Sequence, residues 1–267
     1  MNSPKLACCN FIQNTNKLRE YALDYGFSGI DWTFTPDDLP SSDEEEKELV
    51  RKHKVLNPIE IRYHLFFLGK EIGRKNQEHA DQDRTFFYRA CRLIARLGGR
   101  HVTLHIGLDR HDLSGEISWQ TTVTSLSNLT DFARGIGLRV CLENLAWGWT
   151  SRPDLFEKLL RKAECWGTLD IGHARASQTV ISGAYDLEDF AYTHPGRILN
   201  AHVYHEETSN QHTPPAQLSD IEWRLRILTS LPLCDWWVLE LREHRPLVKT
   251  LRVVREFLMD RQDLLAG

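Results

Sequence analysis

Six short apolar runs in this chain end in, or lead straight into, a side chain that can bind a metal ion. IRYHLFF carries His64, VTLHIG carries His105 and VCLEN carries Glu143. TLDIGH carries Asp170 and His173, NAHVYHEE carries His202 and His205, and WVLELRE carries Glu240. Such groups are costly at the end of an apolar strand unless something compensates them. Taken singly, each has a plain structural explanation: His64 or His105 reads as a hydrogen-bonded core histidine, and Glu240 as the ion-pair partner of Arg242. One shared metal centre explains all six together. Glu143, Asp170 and Glu240 with His202 form a mixed oxygen and nitrogen donor set that suits Mn²⁺, Mg²⁺, Co²⁺ or Zn²⁺. The expected cofactor is one divalent ion with two positions open for water or substrate oxygens, and no organic cofactor. His64, His105, His173, His205 and His212 remain as groups that support the ligands, touch substrate or hold a second ion.

For those side chains to meet, the runs that carry them must be strands whose ends converge. Eight candidates recur: Lys5–Phe11, Ser28–Phe34, Glu60–Phe67, His101–Ile106, Leu138–Glu143, Gly167–Ile171, Ile198–Tyr204 and Trp237–Leu241. They are dense in apolar residues rather than strictly alternating, as strands covered on both faces are. Helix signals separate them. Asn16 to Tyr25 stops at Gly26, and Ser42 with Glu45 forms a capping-box pattern. Gln77 to Leu97 and Trp119 to Arg134 are amphipathic and close on glycines. Ser151 and Pro153 open a helix over Leu155 to Leu160, and Asp186–Tyr192, Asp220–Leu228 and Pro246–Leu258 supply three more. Eight alternations without a Pro/Ser-rich linker predict one parallel sheet in one domain, 1–267. An open doubly wound sheet gathers its chemistry near one switch point, whereas here it is spread over many strand ends. The prediction is therefore an α/β fold, a single (β/α)₈ TIM barrel with its site on the C-terminal face.

Composition narrows the function class. The net charge of −4 gives no reason to expect a nucleic-acid or anionic-membrane partner. No apolar stretch is long enough to span a bilayer, and the first residues, MNSPKLACCNFIQ, carry no secretory pattern. The six cysteines form no C-x-x-C pair and read as buried thiols, so a cytoplasmic, reducing location is expected.

These strings resemble the xylose isomerase-like TIM-barrel superfamily of sugar phosphate isomerases and epimerases, which is related to endonuclease IV. The resemblance covers nearly the whole chain and rests on LEN at Leu142–Asn144, LDIGH at Leu169–His173, AHVYHEE at Ala201–Glu207, HTPPAQLSDIEW at His212–Trp223 and LEL at Leu239–Leu241. It implies that Glu143, Asp170, His202 and Glu240 hold the shared metal, and that Glu143 and Glu240 double as acid and base. His173 takes the place of the family's substrate- or metal-binding histidine. The chain departs from the pattern at His205, where an aspartate is frequent, and at Thr208, where ketohexose epimerases carry arginine. On the endonuclease side, His64, His105, His173 and His212 match the additional histidines of a multi-metal cluster, while one of its acidic ligands reads Asn210.

The preferred expectation is an isomerase or epimerase of a small sugar or polyhydroxylated carbonyl compound, working by proton transfer through an enediolate stabilised by the metal's charge. The alternative is a phosphodiesterase or apurinic endonuclease with two or three metals. A non-catalytic metal-binding barrel is the third. Trp147 and Trp149 are read either as a wall against a sugar ring or as loop packing. Arg175 and His205 are read either as selectors of a carboxylate or phosphate or as solvated surface. The expected partner is a small-molecule substrate, with no membrane, no nucleic acid and room for a homo-oligomer.

Overall fold

The computed structural model describes residues 3–108, 116–208 and 211–266. Eight parallel strands close into a barrel: β1 (Lys5–Cys9), β2 (Gly29–Phe34), β3 (Glu60–Leu65), β4 (His101–Leu104), β5 (Arg139–Glu143), β6 (Trp166–Asp170), β7 (Ile198–Val203) and β10 (Trp236–Leu239). β1 pairs with β10 to complete the ring. The short antiparallel hairpin β8 (Glu206–Thr208) and β9 (Gln211–Thr213) follows β7 outside it.

The outer layer holds α1 (Thr15–Asp24), α2 (Asp43–Val55), α3 (Gln77–Arg96), α4 (Trp119–Gly135), α5 (Pro153–Lys162), α6 (Ile171–Ala176), α7 (Gln178–Ile181), α8 (Asp189–Tyr192), α9 (Glu222–Ser230) and α10 (His244–Ala266). Among the described residues no helix is long and apolar enough to cross a membrane. Several local expectations are corrected. Ile171 begins α6 rather than ending β6, because the Asp170 carboxylate accepts the His173 N–H and caps the helix. Ser151 does not cap α5; its hydroxyl donates to the Gly148 carbonyl, and Arg152 takes the cap position. α10 runs from His244 to Ala266, beyond the expected Pro246–Leu258.

Side chains alternate faces along a strand, so each mouth residue has its inward neighbour two positions earlier. The large apolar cluster lies between strands and helices, while a small one, Ala7, Cys9, Trp236 and Val238, lies inside the barrel. Gly29 makes room for it: a Cβ there would lie 2.1 Å from the Trp236 ring. Most of the other inward residues described are polar. Thr103 and Thr168 hydroxyls meet at 2.9 Å, and the Asn200 amide donates to Thr168 at 3.1 Å. Arg62 donates to Asn200 and Asp235 and lies over the Trp236 ring at 4.6 Å. Two residues up from Arg62, Thr103, Cys141, Thr168, Asn200 and Val238 lie His64, His105, Glu143, Asp170, His202 and Glu240. The same step from Gly29 gives Asp31.

Candidate metal centre

Strand geometry brings Glu143, Asp170, His202 and Glu240 together, with one potential ligand atom from each lying within 4.8 Å of the others, all buried. His202 Nδ1 lies 2.9 Å from Glu240 Oε2, 3.1 Å from Glu143 Oε1 and 3.8 Å from Asp170 Oδ2. Asp170 is fixed twice, by its cap of α6 and by Asn144. The Asn144 amide donates to the Asp170 carbonyl at 2.9 Å and accepts the Asp170 N–H at 2.8 Å.

A second donor set shares Glu143. His64 Nε2, His105 Nε2 and Glu143 Oε2 form a triangle with edges of 3.2, 3.4 and 3.1 Å. Ligands around a tetrahedral zinc at its usual bond lengths lie about 3.3 Å apart. Glu143 Oε2 is close to both imidazoles yet in hydrogen-bond geometry with neither.

Whether these residues fit a cation is answered by their unmet polar atoms. Asp31 Oδ2, Glu143 Oε2, Asp170 Oδ2 and Glu240 Oε2 are all buried without a hydrogen-bond donor. Buried carboxylates at this density require positive charge. In the chain alone, imidazoles supply part of it. Burial alone would raise the Glu143 carboxyl, but His202 and His105 hold it well below the usual carboxylate range. Glu240 is lowered in the same way by His202 and His212, against its burial. Burial, with the Glu143 and Glu240 charges, lifts Asp170 to about 6. His202 rises well above an ordinary histidine although burial opposes it, because Glu143 and Glu240 face it. A divalent ion held by these residues would take over this compensation and displace protons from its ligands.

The remaining expected residues divide. His173 Nδ1 lies 3.0 Å from the Asn144 carbonyl and 3.6 Å from Glu143 and Asp170 oxygens, and its Nε2 is 3.2 Å from Glu207. His212 Nδ1 donates to the Glu240 carbonyl at 2.8 Å, and its ring stacks on Tyr204 at 3.7 Å. Trp147 meets His173 edge-on and donates its indole N–H to the Gly107 carbonyl at 2.8 Å. Trp149 packs on Trp119 and belongs to the loop reading. His205 is not drawn into the ligand group: it sits between Arg175 and Arg224, at 3.3 and 3.2 Å. Arg175 stands with it, near Glu206 at 3.8 Å. Arg242 donates to the Thr33 hydroxyl and feels the Glu240 charge, but among the described residues no direct ion pair joins the two. Asn210 lies outside the described residues.

Three residues escaped the sequence reading. Asp31 sits inside β2, 3.5 Å from His64 Nδ1. Glu207 reaches His173 from the hairpin. Glu71, after β3, accepts the backbone N–H groups of Ile72 at 2.9 Å and Gly107 at 2.7 Å.

The whole barrel has counterparts among solved structures. A D-tagatose 3-epimerase-like protein superposes with a TM-score of 0.75 at 16% identity, covering 98% of this chain and 99% of that one. Endonuclease IV from Thermus thermophilus superposes with a TM-score of 0.65 at 16% identity, covering 96% of this chain and 100% of that one. An uncharacterized protein of Methanocaldococcus jannaschii is 26% identical over 167 residues, 62% of this chain and 70% of the relative. At such identities the solved structures speak for the fold alone. Residues 19–260 match the family described as xylose isomerase-like TIM barrel, and the chain belongs to that family.

Proposed function

We propose that the chain is a divalent-metal-dependent isomerase or epimerase of a small sugar or other polyhydroxylated carbonyl compound. The observation that carries this reading is the pair of buried glutamates, Glu143 and Glu240, both close to His202 Nδ1, at 3.1 and 2.9 Å. Glu143, Asp170, His202 and Glu240 would hold the ion. When bound, the metal polarises a carbonyl and its neighbouring hydroxyl and acidifies the C–H between them. Glu143 and Glu240 reach the pocket from different strands, so one can take that proton and the other can return a proton at the opposite face or the adjacent carbon. Asp170 spends one carboxylate oxygen on the α6 cap, which would leave Oδ2 for the ion. Trp147, part-buried and edge-on to His173, gives apolar surface against the carbon faces of a sugar. The likeness of the barrel to a D-tagatose 3-epimerase-like protein supports this reading. A second copy of the chain, if it assembles, would cover the loops at the mouth.

The test is incubation with a panel of ketoses, aldoses and related acids in D₂O with Mn²⁺ or Co²⁺. The expected result is deuterium at a substrate carbon together with an isomeric product, both abolished by Glu240→Gln. Exchange retained in that variant removes Glu240 from proton transfer.

A specific observation favours a second reading. The His64, His105 and Glu143 triangle suits a second ion bridged by Glu143, as in two-metal phosphoester hydrolysis. The likeness to endonuclease IV points the same way, while the net charge of −4 does not suggest a DNA surface. Hydrolysis of a small phosphodiester by the same preparation, without deuterium exchange into any sugar and lost in His105→Ala, would replace the first reading with this one.

A further inference from the structure

Asp31 points into the barrel from β2, next to β3 and His64. It is 2% exposed, and its Oδ2 has no hydrogen-bond partner. Facing it at 3.5 Å is His64 Nδ1, also buried and also without a partner. A carboxylate only accepts, so this pair is satisfied when Nδ1 carries the hydrogen. A neutral imidazole has a single N–H, which leaves the Nε2 lone pair facing His105 at 3.2 Å and Glu143 at 3.4 Å. Other charges surround the pair. Glu240 Oε1 is farther from His64 Nδ1, at 3.9 Å, and the other oxygen of that carboxylate lies against His202. The cations nearby are Arg242, hydrogen-bonded to Thr33, and His202, whose ring lies 5.1 Å from that of His64. Asp31 is therefore the nearer acceptor for Nδ1–H, while Glu143 Oε2, the rival acceptor at Nε2, has a nearer donor in His105 Nε2 at 3.1 Å.

We propose that Asp31 is the positioning residue of His64, fixing the tautomer that turns the Nε2 lone pair toward Glu143 and His105 and so makes His64 a ligand for a second divalent ion. The ligand half rests on the two-ion reading of the triangle; the tautomer half does not. Without Asp31 the proton is free to move to Nε2 and bond Glu143, which closes the triangle to a cation. Carboxylates that orient a ligating histidine in this way are worth about 10–100-fold in metal affinity.

Two measurements decide it. In ¹⁵N-resolved imidazole spectra of the metal-free chain at mildly alkaline pH, with His64 assigned by its loss in His64→Asn, wild type should carry the hydrogen on Nδ1. Asp31→Ala should shift it toward Nε2, and Asp31→Asn should keep it on Nδ1 through the amide oxygen. A wild-type His64 protonated on Nε2, or a tautomer unmoved in Asp31→Ala, overturns the proposal. In Zn²⁺ titrations, Asp31→Ala should weaken the second ion about 10–100-fold and leave the first unchanged. Equal weakening of both ions would make Asp31 merely structural and overturn the positioning role. A wild type that takes up one ion only overturns the ligand half along with the two-ion reading. The tautomer spectra then decide Asp31's hold on His64 by themselves.

Discussion

Asn144 and Asp170 are clasped by a reciprocal pair of hydrogen bonds, amide to carbonyl at 2.9 Å and backbone N–H to amide oxygen at 2.8 Å. The clasp ties the end of β5 to the end of β6 and satisfies two buried backbone groups where both strands deliver a carboxylate. Asn144→Ala leaves a buried N–H and a buried C=O unpaired, and the expected loss is about 2–4 kcal/mol of stability. Metal affinity should fall as well, because Asp170 loses one of its two restraints. Urea unfolding and a metal titration of the variant check both; unchanged affinity would confine Asn144 to the fold.

Much of the site was legible because a strand's period of two is rigid. Once the runs ending at Glu143, Asp170, His202 and Glu240 are read as parallel strands of one barrel, their inward residues have nowhere else to meet. Asp31 was missed because β2 continues to Phe34, so its inward carboxylate sits within the strand and not at its end. The Gly29–Asp31–Thr33 alternation was the available signal. Glu207 and the β8–β9 hairpin were missed because EETSNQHT is polar throughout and carries no apolar alternation. His205 looked equivalent to His202 by type and spacing. It is three residues farther, beyond the strand, and two arginines claim it instead.

Gly172 lies at the start of α6 against Tyr204. A Cβ there would sit 2.2 Å from the Tyr204 ring, which is fully buried and stacked on His212 at 3.7 Å. Gly172→Ala should cost about 1–3 kcal/mol through overpacking. It should also displace the His212 imidazole resonance. A variant of wild-type stability would mean that Tyr204 can move freely.

His53 sets part of the acid sensitivity of the fold. Its ring packs against Trp32 at 4.4 Å and its Nδ1–H donates to the Leu49 carbonyl at 3.0 Å. Burial lowers it from 6.5 to about 4. As pH falls through that window the unfolded chain takes up a proton that the folded chain refuses. The stability present above 6.5 is therefore lost on the way down to about 4, by at most roughly 3 kcal/mol. His53→Phe should lose less stability than wild type between neutral pH and pH about 4. Identical losses in denaturant unfolding would contradict this.

Glu71 acts in the opposite sense. Burial lifts its carboxyl from 4.5 to about 7, although the Gly107 and Ile72 N–H groups pull it down. The folded chain then keeps a proton that the unfolded chain gives up, so this group costs stability as pH rises from 4.5 to about 7. Glu71→Gln should remove that dependence. One amide oxygen cannot serve both N–H groups, so the Gly107 amide should also exchange faster with solvent. Hydrogen exchange at Gly107 unchanged from wild type would show that Glu71 does not hold this loop.

Both readings of the site require a divalent ion held by Glu143, Asp170, His202 and Glu240. The most direct measurement is elemental analysis of the chain purified without chelator, alongside Asp170→Asn and Glu240→Gln. The predicted result is at least one divalent ion per wild-type chain, retained through dialysis and reduced in both variants. A folded wild-type chain that takes up no divalent ion, even after equilibration with Mn²⁺, Co²⁺ and Zn²⁺, would contradict it.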